Sequence, residues 1–570
     1  MSKFVFLLLL KIIFLPNTLS QNNSQKLDIT EIPSTSYTNN IKWIGFSLSS
    51  PHIITKISWT YKDNFSANEI FGIFEGSTEP NFMDSIPLYM FTEQSNINYI
   101  EIELKSSFKY IRYVAPLKND INITNIEIYG YEPIENEKNN DIFYQATNIP
   151  LVVINTEGKI NLELKTEKTP CSVTIINNGK ISTKQTGKVN IRGNGTKDLE
   201  KKSFQFNLEN KENVLDMPAN AKKWVLLANH MDKTLIRNLV AFKVSSLLGQ
   251  IYVPVCKSVD LIIDGSFEGN YLLCDKIEKG EGRVELDSID KNSNEYPEIT
   301  GGYLLEIDGY ADAEEYFFVS KKGVKVTIKY PDANKNQIKY IKNWFDNIEE
   351  NLYYNQSVDN IDLDSFSQYF ILEEFCADID SVWSSYYITK QRNNELMFFG
   401  PAWDFDLALD NDKRLYPTHN KTNWIFTYGP SSGTFNNFIS KLMSCEDILE
   451  AVQLKWKNVT RNDLTKENLL NFIDEQVTYL NKSIELNFKR WDINKFVGME
   501  AVVKGSYEQK IKNLKEFLEE RFIIFGDMIL NAKTSSLKLI EHEPIEEEKM
   551  LVGSCLSARI ILMVILTICL

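Results

Sequence analysis

Asp404 and Asp406 lie two residues apart within an apolar and aromatic run, residues 398–409. Aspartate is depleted in strand interiors, and its carboxylate is seldom fully buried without a partner. Burying a carboxylate is costly unless a cation or strong hydrogen-bond donors compensate the lost hydration. The two carboxylates therefore indicate a bound cation, and Mg²⁺ shared with substrate phosphates is the simplest choice. A turn stabilised by Asp side chains is the alternative.

A series of short motifs precedes this run and ends in it. The motifs occupy residues 189–196, 201–204, 224–229, 232–238, 259–273, 301–308, 378–381 and 403–406. Taken together and in this order, they resemble the CotH kinase family over residues 149–530. The resemblance implies an atypical, strongly divergent protein-kinase-like fold. It also implies transfer of the γ-phosphate of ATP to Ser or Thr of a protein substrate.

Phosphoryl transfer needs a divalent cation and a cationic side chain at the phosphates, and a carboxylate at the acceptor hydroxyl. The resemblance implies that Asp404 binds Mg²⁺ or Mn²⁺ and that Asp406 either binds the same metal ion or orients it. It implies that Asp380 is the acceptor-orienting base, with Asp378 as the alternative. Ser385 occupies the place of the metal-binding Asn of kinases, and its hydroxyl is a weaker ligand.

Three residues of the preceding β-rich part are candidates for nucleotide binding. Lys202 begins an alternating strand and is predicted to contact phosphate, whereas Lys201 points to the opposite face and is expected in solvent. Arg192 either holds phosphate or braces its loop. Asp275 stands where the family commonly has Glu, and the resemblance implies that it pairs with the nucleotide-contacting Lys. Because Asp is one methylene shorter than Glu, that pairing stays open.

The length of 570 residues exceeds what one hydrophobic core usually supports, so several domains are expected. We predict a signal peptide (1–20), a β-sandwich domain (21–132), a linker (133–148), a kinase-like domain (149–530), a stalk (531–553) and a C-terminal signal or hydrophobic tail (554–570). The formal net charge of −15 argues against a nucleic-acid partner, because phosphate binding needs clustered Lys and Arg.

The fold class expected is α+β, with a small β-sandwich before a kinase-like domain whose C-terminal part is helical. Alternating apolar residues at 53–59, 100–104 and 123–129 predict short strands of the sandwich. Residues 108–114 and 123–130 resemble the last strands of a discoidin or galactose-binding-like module, which implies a carbohydrate or other surface ligand. Apolar spacing predicts helices at 234–248, 464–483 and 507–530.

Both ends of the chain carry the features of processing signals. A short apolar run after Lys3 and small residues at 18–20 predict a secretory signal peptide. At the other end, Gly553 and Ser554 precede an apolar tail and predict a GPI anchor. A tail-anchored helix is the alternative. It would place Arg559 near the bilayer centre at a cost of about 2.5–3.5 kcal/mol.

Five cysteines lie between these segments, and an odd number leaves at least one free or paired between chains. A disulfide between Cys256 and Cys274 would join two neighbouring predicted strands. Sequons predict glycosylation at Asn64, Asn122, Asn355, Asn420, Asn458 and Asn481. Together these features predict a protein of the secretory pathway, exposed at the cell surface or released.

Two functions remain open from the sequence. The first is an active secreted or surface Ser/Thr protein kinase. The second is a surface adhesion protein on a kinase-like scaffold of weak or no activity. The carboxylates and Lys202 favour the first function, and Ser385 and Asp275 favour the second.

Overall fold

The structure is a computed structural model that describes residues 24–33, 41–62, 69–94, 97–133, 141–418 and 422–536. The predicted signal peptide and C-terminal tail lie outside these residues, as do most of the stalk and the sequons at Asn64 and Asn420. Strands dominate the first part of the described chain and helices the last, so the α+β class is confirmed.

The strands are β1 (Gln25–Lys26), β2 (Thr30–Ile32), β3 (Trp43–Tyr61), β4 (Ile73–Ser77), β5 (Ile86–Met90), β6 (Tyr99–Glu101), β7 (Ser107–Val114), β8 (Ile123–Tyr131), β9 (Leu151–Asn155), β10 (Thr169–Asn177), β11 (Lys180–Arg192), β12 (Ser203–Glu212), β13 (Ala221–Leu227), β14 (Cys256–Ile263), β15 (Ser266–Asp275), β16 (Tyr303–Ile307), β17 (Phe317–Val319), β18 (Lys325–Tyr330), β19 (Tyr386–Lys390) and β20 (Phe398–Phe399). The helices are α1 (Arg237–Leu248), α2 (Lys335–Glu350), α3 (Leu363–Cys376), α4 (Phe435–Met443), α5 (Glu446–Asn462), α6 (Lys466–Arg490) and α7 (Tyr507–Asn531).

The chain divides into two compact units. The first unit comprises the described residues up to 228 together with 256–275 and 477–492, and the second comprises 229–255 and the described residues of 276–476 and 493–536. The domain boundaries predicted from the sequence near residues 132 and 149 stay predictions.

In the first unit, β1 to β8 form the predicted β-sandwich around one apolar core. The first half of β3 pairs with β2 and β7, and its second half pairs with β6 and β8, so one long strand serves both layers. The core includes Trp59, Phe74, Phe91 and Tyr113, whose rings lie at tilted or edge-on angles. Such geometries are favoured by aromatic pairs.

The remaining strands of the first unit close into a seven-stranded barrel in the order β10-β11-β12-β13-β15-β14-β9. The parallel pairing of β9 with β14 closes it. Cys256 and Cys274 are direct neighbours on β14 and β15 and form the predicted disulfide. The other described cysteines, Cys171, Cys376 and Cys445, are buried free thiols.

The second unit contains a five-stranded sheet in the order β17-β18-β16-β19-β20 and most of the helices. The α3 helix is buried on all sides over almost its whole length, and its buried residues include Glu373 and Glu374. The α1 helix begins at Arg237, three residues later than predicted, and ends before Gly249, whose φ of 86° makes it the expected helix stop. No helix within the described ranges is long and apolar enough to cross a membrane.

Candidate active site

The first two carboxylates of the site follow the buried end of α3. Ala377 adopts a left-handed conformation and ends the helix. Asp378 then accepts a hydrogen bond from the Asp380 backbone N–H at 3.0 Å. The carbonyl of Asp380 in turn accepts from the N–H of Trp383 at 2.8 Å. These bonds form a tight turn after the helix, with Asp378 buried and the side chain of Asp380 32% exposed.

Asp404 is held outward by its aromatic neighbours. The rings of Trp403 and Phe405 pack on Phe242 of α1, with centroids 6.3 Å and 6.2 Å away. The N–H of Phe405 donates to Asn238 Oδ1 at 2.9 Å. Asp404 lies between these two anchored rings with a φ of 74° and is exposed. The apolar run therefore packs away, and the carboxylate of Asp404 stays accessible.

Ser385 reaches the same place from a different loop. Its Oγ donates to Asp404 Oδ2 at 3.4 Å, and its backbone N–H donates to Glu306 Oε1 at 3.2 Å. Glu306 also forms a 2.9 Å ion pair with Lys329. The serine hydroxyl and the Asp404 carboxylate are thus brought together, as the sequence prediction of a shared metal site requires.

The negative charge at the site is concentrated around Asp406. Asp406 is enclosed by protein on most sides but keeps part of its surface in contact with solvent. Burial raises the pKa of its carboxyl well above the usual range, and the charges of Asp404, Asp232, Asp378 and Asp380 add to this effect. Within the described ranges no Lys, Arg or His side chain forms an ion pair with Asp406. A cation at this position would relieve the unfavourable charge.

Two of the neighbouring carboxylates, those of Asp232 and Asp378, already contact groups that can offset their negative charge. Asp232 is buried and accepts from Arg237 Nη1 at 2.6 Å and from the backbone N–H of Arg237 at 2.8 Å. It therefore ties down the start of α1. Asp378 shares a hydrogen bond with the buried carboxyl of Glu373, and burial together with this contact raises the pKa of Glu373. A proton shared between these two carboxyls would remove one negative charge from the cluster.

The donors present fit a divalent cation of the kind that kinases use. In the part of the chain that the structure describes, no three His, Cys, Asp or Glu side chains form a metal cage. Mg²⁺ does not require one, because it commonly binds through one or two carboxylates together with substrate phosphates and water. Asp404, Asp406 and the Ser385 hydroxyl are the residues that would hold it.

Arg414 and Asp412 belong to the site and were not found from the sequence. Arg414 Nη2 donates to Asp380 Oδ1 at 2.8 Å, and its Nε donates to Asp412 Oδ1 at 2.9 Å. Burial raises the pKa of Asp380, whereas the Arg414 guanidinium lowers it. Neither residue belongs to a recognisable motif or to a periodic pattern. Only the three-dimensional contact identifies them.

The expectation that Lys201 lies in solvent is wrong. Its side chain is buried inside the first unit, and Nζ donates to the carbonyl of Ala228 and to Asn487 Oδ1, both at 2.9 Å, and to the carbonyl of Asn270. Lys201 precedes β12 in an irregular segment, so the alternation that governs strands does not apply to it.

Lys202 is half-buried, and its Nζ donates to the carbonyl of Lys197 at 2.6 Å. The backbone carbonyl of Lys202 accepts from Tyr271 Oη at 2.9 Å. Asp275 is buried on the same strand as Tyr271, four residues further on. Four residues of strand span roughly 13 Å. The structure therefore does not bring Asp275 to Lys202, and the pairing expected between them is not formed.

Arg192 ends β11 and pairs with Ser203 in the β11–β12 ladder. This register places Arg192 opposite Ser203, the residue that follows Lys202 in the chain. The two basic candidates for phosphate contact therefore lie on adjacent backbone segments of the first unit.

The structure thus combines a mixed α+β fold with a cluster of carboxylates whose oxygens suit a divalent cation. The family model described as CotH kinase protein matches residues 189–523, which is more than half of the chain. The chain belongs to this family, and the family predicted from the motifs is confirmed. No curated protein matches the chain. Among solved structures, CBM62 from Clostridium thermocellum Xyl5A is similar at 21% identity with a TM-score of 0.18, over 19% of this chain and 99% of that one.

Proposed function

We propose that this protein is a secreted or cell-surface protein kinase that transfers the γ-phosphate of ATP to Ser or Thr of a protein substrate. Membership of the CotH kinase family supports a kinase-like protein. The observation that carries the proposal is the concentration of carboxylates around Asp406, together with the exposure of Asp404. We propose a divergent protein-kinase-like fold on the same grounds.

Asp404, Asp406 and Ser385 are proposed to hold Mg²⁺ or Mn²⁺ with the phosphates of ATP. When bound, the metal neutralises the phosphate charge that builds up during transfer. The Ser385 hydroxyl orients one carboxylate oxygen of Asp404 through its hydrogen bond. The exposure of Asp404 leaves room for phosphate oxygens and water in the remaining coordination positions.

Asp380 is proposed as the base that orients the acceptor hydroxyl. Its carboxylate is partly exposed, and Oδ1 is occupied by Arg414. Among the described residues, no N–H or O–H group donates to Asp380 Oδ2, so this oxygen can accept from a substrate. Asp378 is the weaker candidate because it is buried and bonded to Glu373.

Lys202 and Arg192 are proposed as the phosphate-contacting cations. An ammonium group has three donors, and Lys202 uses one on the carbonyl of Lys197, which leaves others for phosphate. Lys201 is unsuited because backbone carbonyls and an amide surround its ammonium. Asp275 is buried away from Lys202 and is not assigned a role in this contact.

A location in the secretory pathway is proposed from the predicted signal peptide and from the Cys256–Cys274 disulfide. Disulfides persist in oxidising compartments and are rare in the cytosol. We propose that a C-terminal lipid anchor or tail attaches the protein to a membrane. A carbohydrate or other surface ligand of the β-sandwich is proposed from its sequence resemblance alone.

The test is phosphate transfer from γ-labelled ATP to casein by the purified protein, with Mg²⁺ or Mn²⁺. Asp404→Asn is the decisive variant, because Asn tolerates the left-handed backbone and removes the charge at nearly constant shape. Asp527→Asn, an exposed change on α7, is the matched control. We expect transfer by the wild type and the control and its loss in Asp404→Asn. No transfer by the wild type, with intact folding, would favour the adhesion alternative.

A further inference from the structure

Arg414 joins the proposed base to a buried carboxylate. Its guanidinium contacts Asp412 through Nε and Nη2, and the same Nη2 contacts Asp380 Oδ1 at 2.8 Å. Asp412 is 2% exposed, whereas the side chain of Asp380 is 32% exposed. Forked contacts between Arg and a carboxylate restrict both distance and orientation. The buried carboxylate of Asp412 therefore fixes the guanidinium of Arg414, and this guanidinium in turn contacts the accessible carboxylate of Asp380.

The segment that carries Asp412 is itself held in place. Asp412 and Glu500 form an antiparallel bridge. On either side, the N–H of Lys413 donates to the carbonyl of Met499 at 2.9 Å, and the N–H of Ala501 donates to the carbonyl of Asn411 at 2.7 Å. Arg414 is thus attached to a short two-stranded ladder of the second unit and not to an unsupported loop.

The same segment is connected to the proposed metal ligands. Asn411 Nδ2 donates to the carbonyl of Asp406 at 2.7 Å and to the carbonyl of Met231 at 2.9 Å. The Nε of Arg237 donates to the carbonyl of Leu409 at 3.3 Å. The chain from Asp406 to Arg414 is therefore anchored at several points, which fixes the base relative to the metal ligands.

We propose that Arg414 is the positioning residue of the acceptor base: it occupies Asp380 Oδ1 and directs Oδ2 toward the substrate hydroxyl. This inference rests on the proposed kinase function. The charged groups that face Asp380 are the carboxylates of Asp378, Asp404, Asp406 and Asp412 and the guanidinium of Arg414. Arg414 acts through Asp380 and contacts no reacting atom, so it is not a catalytic residue.

The test compares Arg414→Ala and Arg414→Lys with Arg461→Ala, an exposed control near the end of α5. We expect Arg414→Ala to lower kcat/KM by about 10²-fold, as misplaced catalytic groups do. Because the guanidinium favours the ionised form of Asp380, its removal raises the pKa of that carboxyl. The acidic limb of the kcat/KM profile should therefore move to higher pH, and Arg414→Lys should recover part of both effects. An unchanged rate, or a lower rate with an unchanged pH profile, would overturn the inference.

A second measurement does not depend on activity. In a crystal structure of Arg414→Ala, we expect the Asp380 side chain to rotate or to occupy several conformers. One conformer identical to that of the wild type would overturn the inference even if the protein transfers no phosphate. Absence of transfer by the wild type would instead refute the proposed function. If Arg414→Ala does not fold, Arg414→Lys carries both measurements.

Discussion

The hydroxyl of Ser385 donates a 3.4 Å hydrogen bond to Oδ2 of Asp404, and both residues have left-handed backbone conformations, with φ of 63° and 74°. Positive φ is uncommon for residues other than Gly, and such conformations are concentrated at functional sites. One residue precedes β19 and the other follows β20. Two loops of the second unit therefore adopt unusual turns that bring these two side-chain oxygens together.

This contact predicts that Ser385 sets the metal dependence of phosphate transfer. Ser385→Ala removes the hydroxyl and should raise the Mg²⁺ concentration for half-maximal rate by about 2–10-fold, the equivalent of one hydrogen bond. Ser385→Asn should reach its half-maximal rate at a Mg²⁺ concentration equal to or below that of the wild type, because Asn supplies a carbonyl oxygen and tolerates positive φ. Rates measured across a Mg²⁺ titration check this. Identical titration curves for the three proteins would contradict it.

The Glu373–Asp378 pair predicts a pH dependence of stability. The pKa of Glu373 is raised, so the folded state holds a proton that the unfolded state releases near its ordinary pKa of about 4.3. The contribution of this pair to stability is therefore full below that pH and falls as pH rises toward the raised value. Glu373→Gln should remain hydrogen-bonded to Asp378 without titrating.

The measurement is the thermal unfolding midpoint of the wild type and of Glu373→Gln at roughly pH 5 to pH 9. This interval is chosen because carboxyls whose pKa is raised by burial titrate within it. We expect the wild type to lose stability relative to the variant as pH rises. Glu446→Gln, at the exposed start of α5, is the control and should follow the wild type. Parallel curves for wild type and Glu373→Gln would refute a shared proton.

We predict that Lys201 stabilises the folded protein, whereas Lys202 supports phosphate transfer. Lys201→Met leaves two buried carbonyls and Asn487 without their charged donor and should lower the unfolding free energy by about 3 kcal/mol. Lys202→Met should change stability by about 0.5 kcal/mol at most and reduce transfer. Urea unfolding and kinase assays on both variants test this. Equal stabilities of the two variants would contradict the assignment.

Removal of the disulfide should weaken the barrel of the first unit. Cys256 and Cys274 are 18 positions apart in the sequence, and a disulfide that closes a loop of this size contributes about 3 kcal/mol. The double change to Ala, or reduction of the wild type, should lower the unfolding midpoint. Reduction of the double variant serves as the control and should have no effect. A midpoint that reduction leaves unchanged in the wild type would exclude this contribution.

Much of the fold could be predicted because local patterns determine it. Alternating residues gave the strands around Ile57 and Ile128, and Gly249 marked the end of α1. The proposed site was found only in part. Glu373 lies inside a helix that reads as apolar, and Arg414 reaches Asp380 across 34 residues of chain. Contacts of this kind depend on tertiary packing, which no local pattern encodes.

The most direct test of the proposed kinase reaction is the initial rate of phosphate transfer from γ-labelled ATP. Thermal stabilisation of the same proteins by ATP and Mg²⁺ is measured beside it. We predict that Asp380→Asn loses transfer but keeps the stabilisation, because this residue acts on the acceptor. Asp404→Asn should lose both, and Asp527→Asn should keep both. Transfer at the wild-type rate by Asp380→Asn or Asp404→Asn would contradict the central claim that these two carboxylates carry a kinase reaction.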